Sequence, residues 1–315
     1  MSALASSRLL ESRGVLRPAG VKNGRIRWVY LVTVIFYHFG ACLAFFPYFF
    51  SWTGVVLAVL AVYVFGGLGI NVCYHRLLSH QSFVCVRWLE RCFAILGVCC
   101  AQDGPVRWVA IHRRHHQHTD EQSDPHTPFV SFLWAHIGWL VWENEELDHL
   151  GLYSRYARNI AQDRFYIQFE RRLWYAAVNI LSWLVFYLVG LTAGLIRGDN
   201  LSNAVQFGLS LLVWGIFVRT VVSWHITWSV NSITHLWGYK RYATKDESRN
   251  NLLIALVTSG EGWHNNHHAD PQSANNSRRW WEFDGIYLVI RGLAALGLVT
   301  KIVQPNSRIA EMSST

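Results

Sequence analysis

From Trp28 to His75 the chain carries no Lys, Arg, Asp or Glu. A run that long without charge cannot form the surface of a water-soluble domain. It holds two segments of roughly 20 residues, each long enough to cross hydrocarbon as a helix. Pro47 to Trp52 marks the turn between them. A second uncharged stretch, Leu173 to Ile196, ends in the polar turn Arg197-Gly198-Asp199-Asn200, and Leu201 to Trp224 runs back with Arg219 as its only charge. The pattern predicts an all-α integral membrane protein with four transmembrane helices in two hairpins, over about residues 28–49, 52–74, 173–196 and 201–224.

Charge sets the orientation of this arrangement. The first 27 residues carry Arg8, Arg13, Arg17, Lys22, Arg25 and Arg27 against a single Glu11, and basic residues flanking a first span hold that end in the cytoplasm. Two hairpins then return both termini and every long segment to the same side, which places 26 of the 28 Lys and Arg there. The net charge of +8 is therefore topological and does not mark a nucleic-acid partner. The basic start is followed by a span far longer than the apolar core of about 7 to 15 residues in a cleaved signal peptide. Cys42, Cys73, Cys85, Cys92, Cys99 and Cys100 show neither a disulfide framework nor a CxxC metal pair and are read as reduced packing residues.

With no internal repeat or linker, residues 27–303 form one domain between a disordered cytoplasmic tail at 1–26 and a C-terminal tail at 304–315. Phe93 to Ala101 and Phe129 to Trp142 are apolar runs too short to cross and are expected to lie against a cytoplasmic helical cap. Phe283 to Val303 is apolar but includes Asp284, Arg291 and Lys301. It is either an amphipathic helix on the membrane or a fifth span.

Nine of the 15 His fall into four groups: His75 and His80 in HRLLSH, His112, His115 and His116 in HRRHH, His235 in NSITH, and His264, His267 and His268 in HNNHH. The i, i+3, i+4 spacing of the two HxxHH groups puts three imidazoles on one helix face, able to converge on one metal or on two neighbours. His75 and His80 are five apart, so on one regular helix they diverge, and the second span is expected to end between them. A lone histidine is more often a packing residue, and His38, His118, His126, His136, His149 and His225 are read as structural or supporting. Nine imidazoles exceed what one cation needs and suit two, which makes a dinuclear centre in the cap the simplest count. Imidazole ligands accept iron, zinc, copper and nickel alike, so the ligand set does not name the metal. Asp120, Glu121, Asp124, Glu261 and Asp270 flank the groups, where they either accept the second imidazole N–H or are solvated surface.

The ordered set HRLLSH, HRRHH, NSITH and GEGWHNNHH, spaced by two hydrophobic hairpins, resembles the membrane fatty acyl desaturases of the stearoyl-CoA desaturase type, including their bacterial and cyanobacterial delta-9 branch. The resemblance covers about Trp28 to Trp281. It implies that the nine histidines bind two Fe ions, that Asn231 holds a metal-bound water, and that O2 is the co-substrate. It also implies that Gln102, Trp108, Thr227 and Trp228 line a bent acyl channel. Val59, Tyr63 and Gly66 on the second span are expected to close that channel's end. Where the animal acyl-CoA enzymes carry an Arg-Asp pair before the second histidine group, this chain has Ala110 and Ile111. That departure shifts the head-group candidates to Arg107, Arg113, Arg114 and Arg219, and leaves acyl-CoA, an acyl lipid and an acyl carrier protein as possible substrates. No HPGG haem signature is present and no fused haem or flavin domain is expected. A separate ferredoxin or cytochrome b5-like donor supplies the electrons on this reading.

An unactivated methylene has no acidic proton and no leaving group, so breaking its C–H bond requires redox chemistry at a metal. A hydroxylase or acetylenase is the nearest enzymatic rival. A metal-binding or metal-transporting membrane protein is a rival of another class, but it would place ligands near the bilayer midplane, where these spans offer only His38.

Overall fold

In the computed structural model, residues 14–309 are described with the exception of His149. The two Ser-rich ends and the supporting role expected of His149 lie outside the described residues.

Four long apolar helices organise the chain: α1 (Trp28–Phe45), α2 (Trp52–Ser79), and, after shorter helices, α5 (Arg172–Ile196) and α6 (Leu201–Ile233). They fit a membrane protein by length and composition. Between α2 and α5 come α3 (Arg87–Val98) and α4 (Pro105–His118), and after α6 follow α7 (Leu252–Thr258), α8 (His264–Ala269) and α9 (Gly285–Ala295). Each hairpin restarts on a polar cap. Ser51 Oγ accepts from Gly54 N at the start of α2, and Asn200 Oδ1 accepts from Asn203 N at the start of α6. The α5–α6 hairpin closes through small residues, since a Cβ on Gly190 would meet Gly208 Cα at 2.7 Å. A similar approach joins α2 to α3, where a Cβ on Gly69 would meet Gly97 N at 2.4 Å. Val29, Ile35, Phe39, Leu181, Leu184 and Leu188 remain exposed on the outer faces, as a surface meant for lipid requires.

Three expectations are decided here. The helix of α2 does end between His75 and His80, at Ser79, but not as a regular helix. From Val62 it winds wider as a π-helix to Ser79, and His80 N donates to His75 O at 3.2 Å. Closing i→i+5 bonds instead of i→i+4 brings residues five apart onto about one face, and such winding recurs at functional sites. The segment expected as a disordered tail up to residue 26 contains strand β1 (Val21–Ile26), paired antiparallel with β3 (Trp142–Asn144). A second ribbon pairs β2 (Phe83–Cys85) with β4 (Val299–Ile302). At 11 residues α9 is far short of the roughly 20 a crossing needs, so the C-terminal apolar stretch is not a fifth span. The six cysteines are all free.

Candidate metal centre

The helices that carry the histidines meet where α2 and α6 end and α1 and α5 begin, and there the nine imidazoles sort into two groups. His75, His80, His112, His116 and His267 form one, and His115, His235, His264 and His268 the other. Each HxxHH helix feeds both: the i, i+4 pair of α4 joins the first group while His115 turns to the second, and α8 does the reverse. The groups abut, with the rings of His116 and His268 stacked 4.4 Å apart.

Within each group the Nε2 atoms face one another: His75 and His267 at 3.1 Å, His116 and His267 at 3.0 Å, His235 and His264 at 3.0 Å, His264 and His268 at 3.0 Å. Nitrogens bound to one ion at about 2.1 Å are themselves separated by about 3 Å, so the spacing is that of ligand atoms around a cation. The opposite ring nitrogens explain which lone pairs are free. His75 Nδ1 donates to Glu261, His115 Nδ1 to Asp124, His235 Nδ1 to Asp120 and His268 Nδ1 to Asp246, at 2.9 to 3.1 Å. Each carboxylate fixes a tautomer that leaves Nε2 bare for the metal.

Electrostatics points the same way. Burial lowers the pKa of His80, His112, His116, His264 and His267 well below the usual value, and neighbouring imidazoles lower it further. His268 is pushed down to about 4 by burial, against the pull of Asp246. Burial alone would raise the carboxyls, yet Arg76 and His75 bring Glu261 down to about 2, and His235, His115 and His268 hold Asp120, Asp124 and Asp246 low. Arg76, fully buried, donates to both Glu261 and Asp284. Five carboxylates thus gather around the imidazoles against the one guanidinium of Arg76, a surplus of negative charge that suits bound cations.

Of the carboxylates singled out in the sequence, Asp120, Asp124 and Glu261 hold ligand imidazoles. Glu121 instead accepts from His118, and Asp270 from Arg278. Asp246 was missed because it lies 22 residues from the histidine it orients, on a loop with no periodic signal. His126 lies against His115, their ring centres 4.4 Å apart and tilted by 37°, in a supporting place.

Beside the first group opens a cavity of about 670 Å³ that His112, Gln102, Trp108, Thr227, Trp228 and Asn231 all line. Trp108 stacks on His112 at 5.0 Å, and Gln102 Nε2 donates to Thr227 Oγ1 at 3.2 Å across the wall. Arg107 lines the cavity with its Nε on Asp103. The other head-group candidates sit elsewhere. Arg113 is spent on the carbonyls of Leu78, Ser79 and Tyr156, Arg114 pairs with Glu146, and Arg219 is buried against the carbonyls of Gly215 and Cys99. Tyr63 and Val59 point outward, 47% and 55% exposed, and with Gly66 take no part in this cavity's wall. The sequence signal missed its polar end, where Tyr30 donates to Asp103 and Glu170 accepts from the amides of Val106 and Arg107 at the start of α4. Burial raises the Glu170 carboxyl to about 7, the amide bonds opposing it.

Comparison with known proteins bears on what such a site acts upon. The family model described as fatty acid desaturase matches residues 50–301. The chain is 37% identical over 291 residues to an sn-2 palmitoyl-lipid 9-desaturase of a Nostoc species, covering 92% of this chain and 95% of the relative. It is 38% identical over 278 residues to an sn-1 stearoyl-lipid 9-desaturase of Anabaena variabilis, covering 88% and 94%. An acyl-CoA 5-desaturase of Anemone leveillei is 37% identical over 260 residues, covering 82% and 75%.

Proposed function

This chain belongs to the fatty acid desaturase family and introduces a double bond into fatty acyl chains, and from that premise we propose that it acts at the ninth carbon of a saturated chain esterified in a membrane lipid, leaving a cis bond. The observation that carries the reading is the division of nine imidazoles into groups of five and four beside a cavity walled by Trp108, Trp228 and Asn231. The donor set fits two Fe ions. When bound, they would supply, with O2, two protons and two electrons from a separate ferredoxin or cytochrome b5-like protein, the oxidant that removes two hydrogens from the chain, both oxygen atoms leaving as water. The basic flanks of the spans support a cytoplasmic orientation of the site.

The protein's own part is positioning and dryness. An acyl chain has no polar landmark at its middle, so the bond position follows from the distance between a head-group anchor and the metals. Trp108, stacked on His112, and Trp228 confine the chain against the first histidine group, and the bond between Gln102 and Thr227 fixes the bend of the wall. Asn231, four residues before His235, orients a water. Asp120, Asp124, Asp246 and Glu261 hold the ligand imidazoles in one tautomer.

Charge balance supports a lipid as the carrier. The polar end of the cavity sets Arg27, Arg107 and Arg172 against Asp103, Glu143 and Glu170, the last with its carboxyl raised to about 7, leaving at most one unbalanced positive charge for the several phosphate charges of CoA. Ala110 and Ile111, where a CoA contact was the family expectation, are both buried and apolar. The test presents purified protein in lipid discs, with donor and reductase, with stearoyl glycerolipid or stearoyl-CoA. The 9-monoene forms on the lipid under this proposal. Conversion of the CoA ester alone overturns the carrier, and a hydroxylated chain moves the protein to the hydroxylases.

A further inference from the structure

The cavity has a floor, and its depth is measurable along two helices. On α6 the lining residues are Asn231, Trp228, Thr227 and Trp224, and none is deeper than Trp224. On α1, which enters from the same end, the deepest is Val34. At about 1.5 Å per residue, the seven positions from Asn231 back to Trp224 amount to roughly 10 Å. A saturated chain built on C–C bonds of about 1.5 Å advances roughly 1.3 Å per methylene, so about eight carbons fit between the level of Asn231, four residues before His235, and the floor.

What lies under the floor is not more tunnel. Tyr37, one turn below Val34, is buried with its ring 5.0 Å from that of Trp224. Trp224 Nε1 donates to Cys100 O at 2.9 Å, and the guanidinium of Arg219 donates to the adjacent carbonyl, Cys99 O, at 3.0 Å. Arg219 is fully buried over the ring of Phe65. Its Nη2, Thr220 Oγ1 and Ser223 Oγ have no hydrogen-bond partner among the described residues. A methyl end pushed past Trp224 meets a buried cation and bare hydroxyls, which favour water and oppose hydrocarbon.

We infer that Trp224, with Val34 beside it and the Arg219 cluster beneath, is the stop that sets acyl chain length. This places the length determinant on α6 and α1, not at Tyr63 on α2. The inference rests on the desaturase reading with insertion at the ninth carbon. Eight carbons beyond a bond between carbons 9 and 10 make an 18-carbon chain, and a 16-carbon chain falls short of the floor by two.

The experiment expresses the full chain, Trp224→Ala, Trp224→Phe and Val34→Phe in a desaturase-deficient host fed saturated acids of 14 to 22 carbons. Double-bond position and chain length are read by mass spectrometry of the lipids. Trp224→Ala is expected to raise the ratio of 20-carbon to 18-carbon monoene at least tenfold with the bond still at carbon 9, Trp224→Phe by less, and Val34→Phe to shift products toward 14 and 16 carbons. An unchanged ratio in active variants overturns the inference. Inactivity of all three despite folded, metal-loaded protein overturns it too, by making these residues packing groups. Failure of the unsubstituted chain to make 9-monoenes instead refutes the desaturase reading itself.

Discussion

Replacing Asp246 by Asn removes one negative charge from beside the second histidine group while keeping the side chain's shape. The Asp246 carboxylate accepts from His268 Nδ1 at 3.0 Å and also takes bonds from Ser248 and Thr244, so it is anchored as well as charged. Both carboxylate oxygens are in use, Oδ2 on His268 and Oδ1 on Ser248 and Thr244, so an amide keeps an acceptor on one side only. What is lost is the ionic pull that makes Nε2 a better donor. Losing such an outer partner weakens metal binding about 10- to 100-fold, or about 1.4 to 2.8 kcal/mol at roughly 1.4 kcal/mol per decade. Only the group of four contains His268; the group of five is held through Glu261. The assay dialyses both proteins against graded chelator and counts iron per chain by plasma mass spectrometry. Asp246→Asn should fall to one iron per chain at a chelator strength where the unsubstituted protein keeps two. Loss of both irons in step, or retention of both at unchanged chelator strength, would refute the assignment of two separately oriented sites.

Three further outcomes follow from the same geometry. Glu170 has its folded pKa raised to about 7 from 4.5 by burial, so the fold favours its neutral form: its contribution is complete below about pH 4.5 and is lost as pH rises through 7. Glu170→Gln stays neutral, and its Tm advantage over the unsubstituted protein should widen between pH 5 and pH 8; a constant difference contradicts the burial argument. Gly69→Ala puts a methyl group 2.4 Å from Gly97 N, where no flexible side chain can yield, and is expected to destabilise by about 1–3 kcal/mol, read as a lowered Tm in detergent. Arg76→Met strands Glu261 and Asp284 as buried carboxylates without their cation, at a cost on the order of 3–5 kcal/mol. The variant should fail to accumulate, whereas Arg76→Met combined with Asp284→Asn recovers part of the yield.

The parts of this architecture that obey a period were readable before any coordinates. The uncharged run from Trp28 to His75 gave the first two long apolar helices, and the nine clustered histidines do gather into groups able to hold metal. The two α-helical HxxHH groups behaved as a 3.6-residue period predicts. HRLLSH did not, because the period itself changes: the π winding of α2 begins at Val62, and no propensity encodes it. The strand at Val21–Ile26 was hidden by its basic composition, since its partner lies more than a hundred residues away at Trp142–Asn144. Long-range pairing of this kind also concealed Asp246 and Glu170, each of which serves a helix remote in sequence. Tyr63 was placed by position along α2 alone, and helix rotation, which a nearly uniform apolar pattern leaves undetermined, turns it outward. Arg113 and Arg219 looked like head-group ligands because a cation in or beside a membrane invites that role, but main-chain carbonyls hold Arg113 at Leu78, Ser79 and Tyr156 and hold Arg219 Nε and Nη1 at Gly215 and Cys99.

The central claim is that the imidazole groups drive desaturation of an acyl chain. Its most direct test is mass spectrometry of fatty acid double-bond positions in a desaturase-deficient host expressing this chain, beside a His112→Ala, His116→Ala variant that strips two ligands from the group of five. The account predicts new 9-monoenes with the unsubstituted chain and none with the variant. Monoenes that persist in the variant, or no new unsaturation from folded, iron-loaded protein supplied with a competent electron donor, would contradict it.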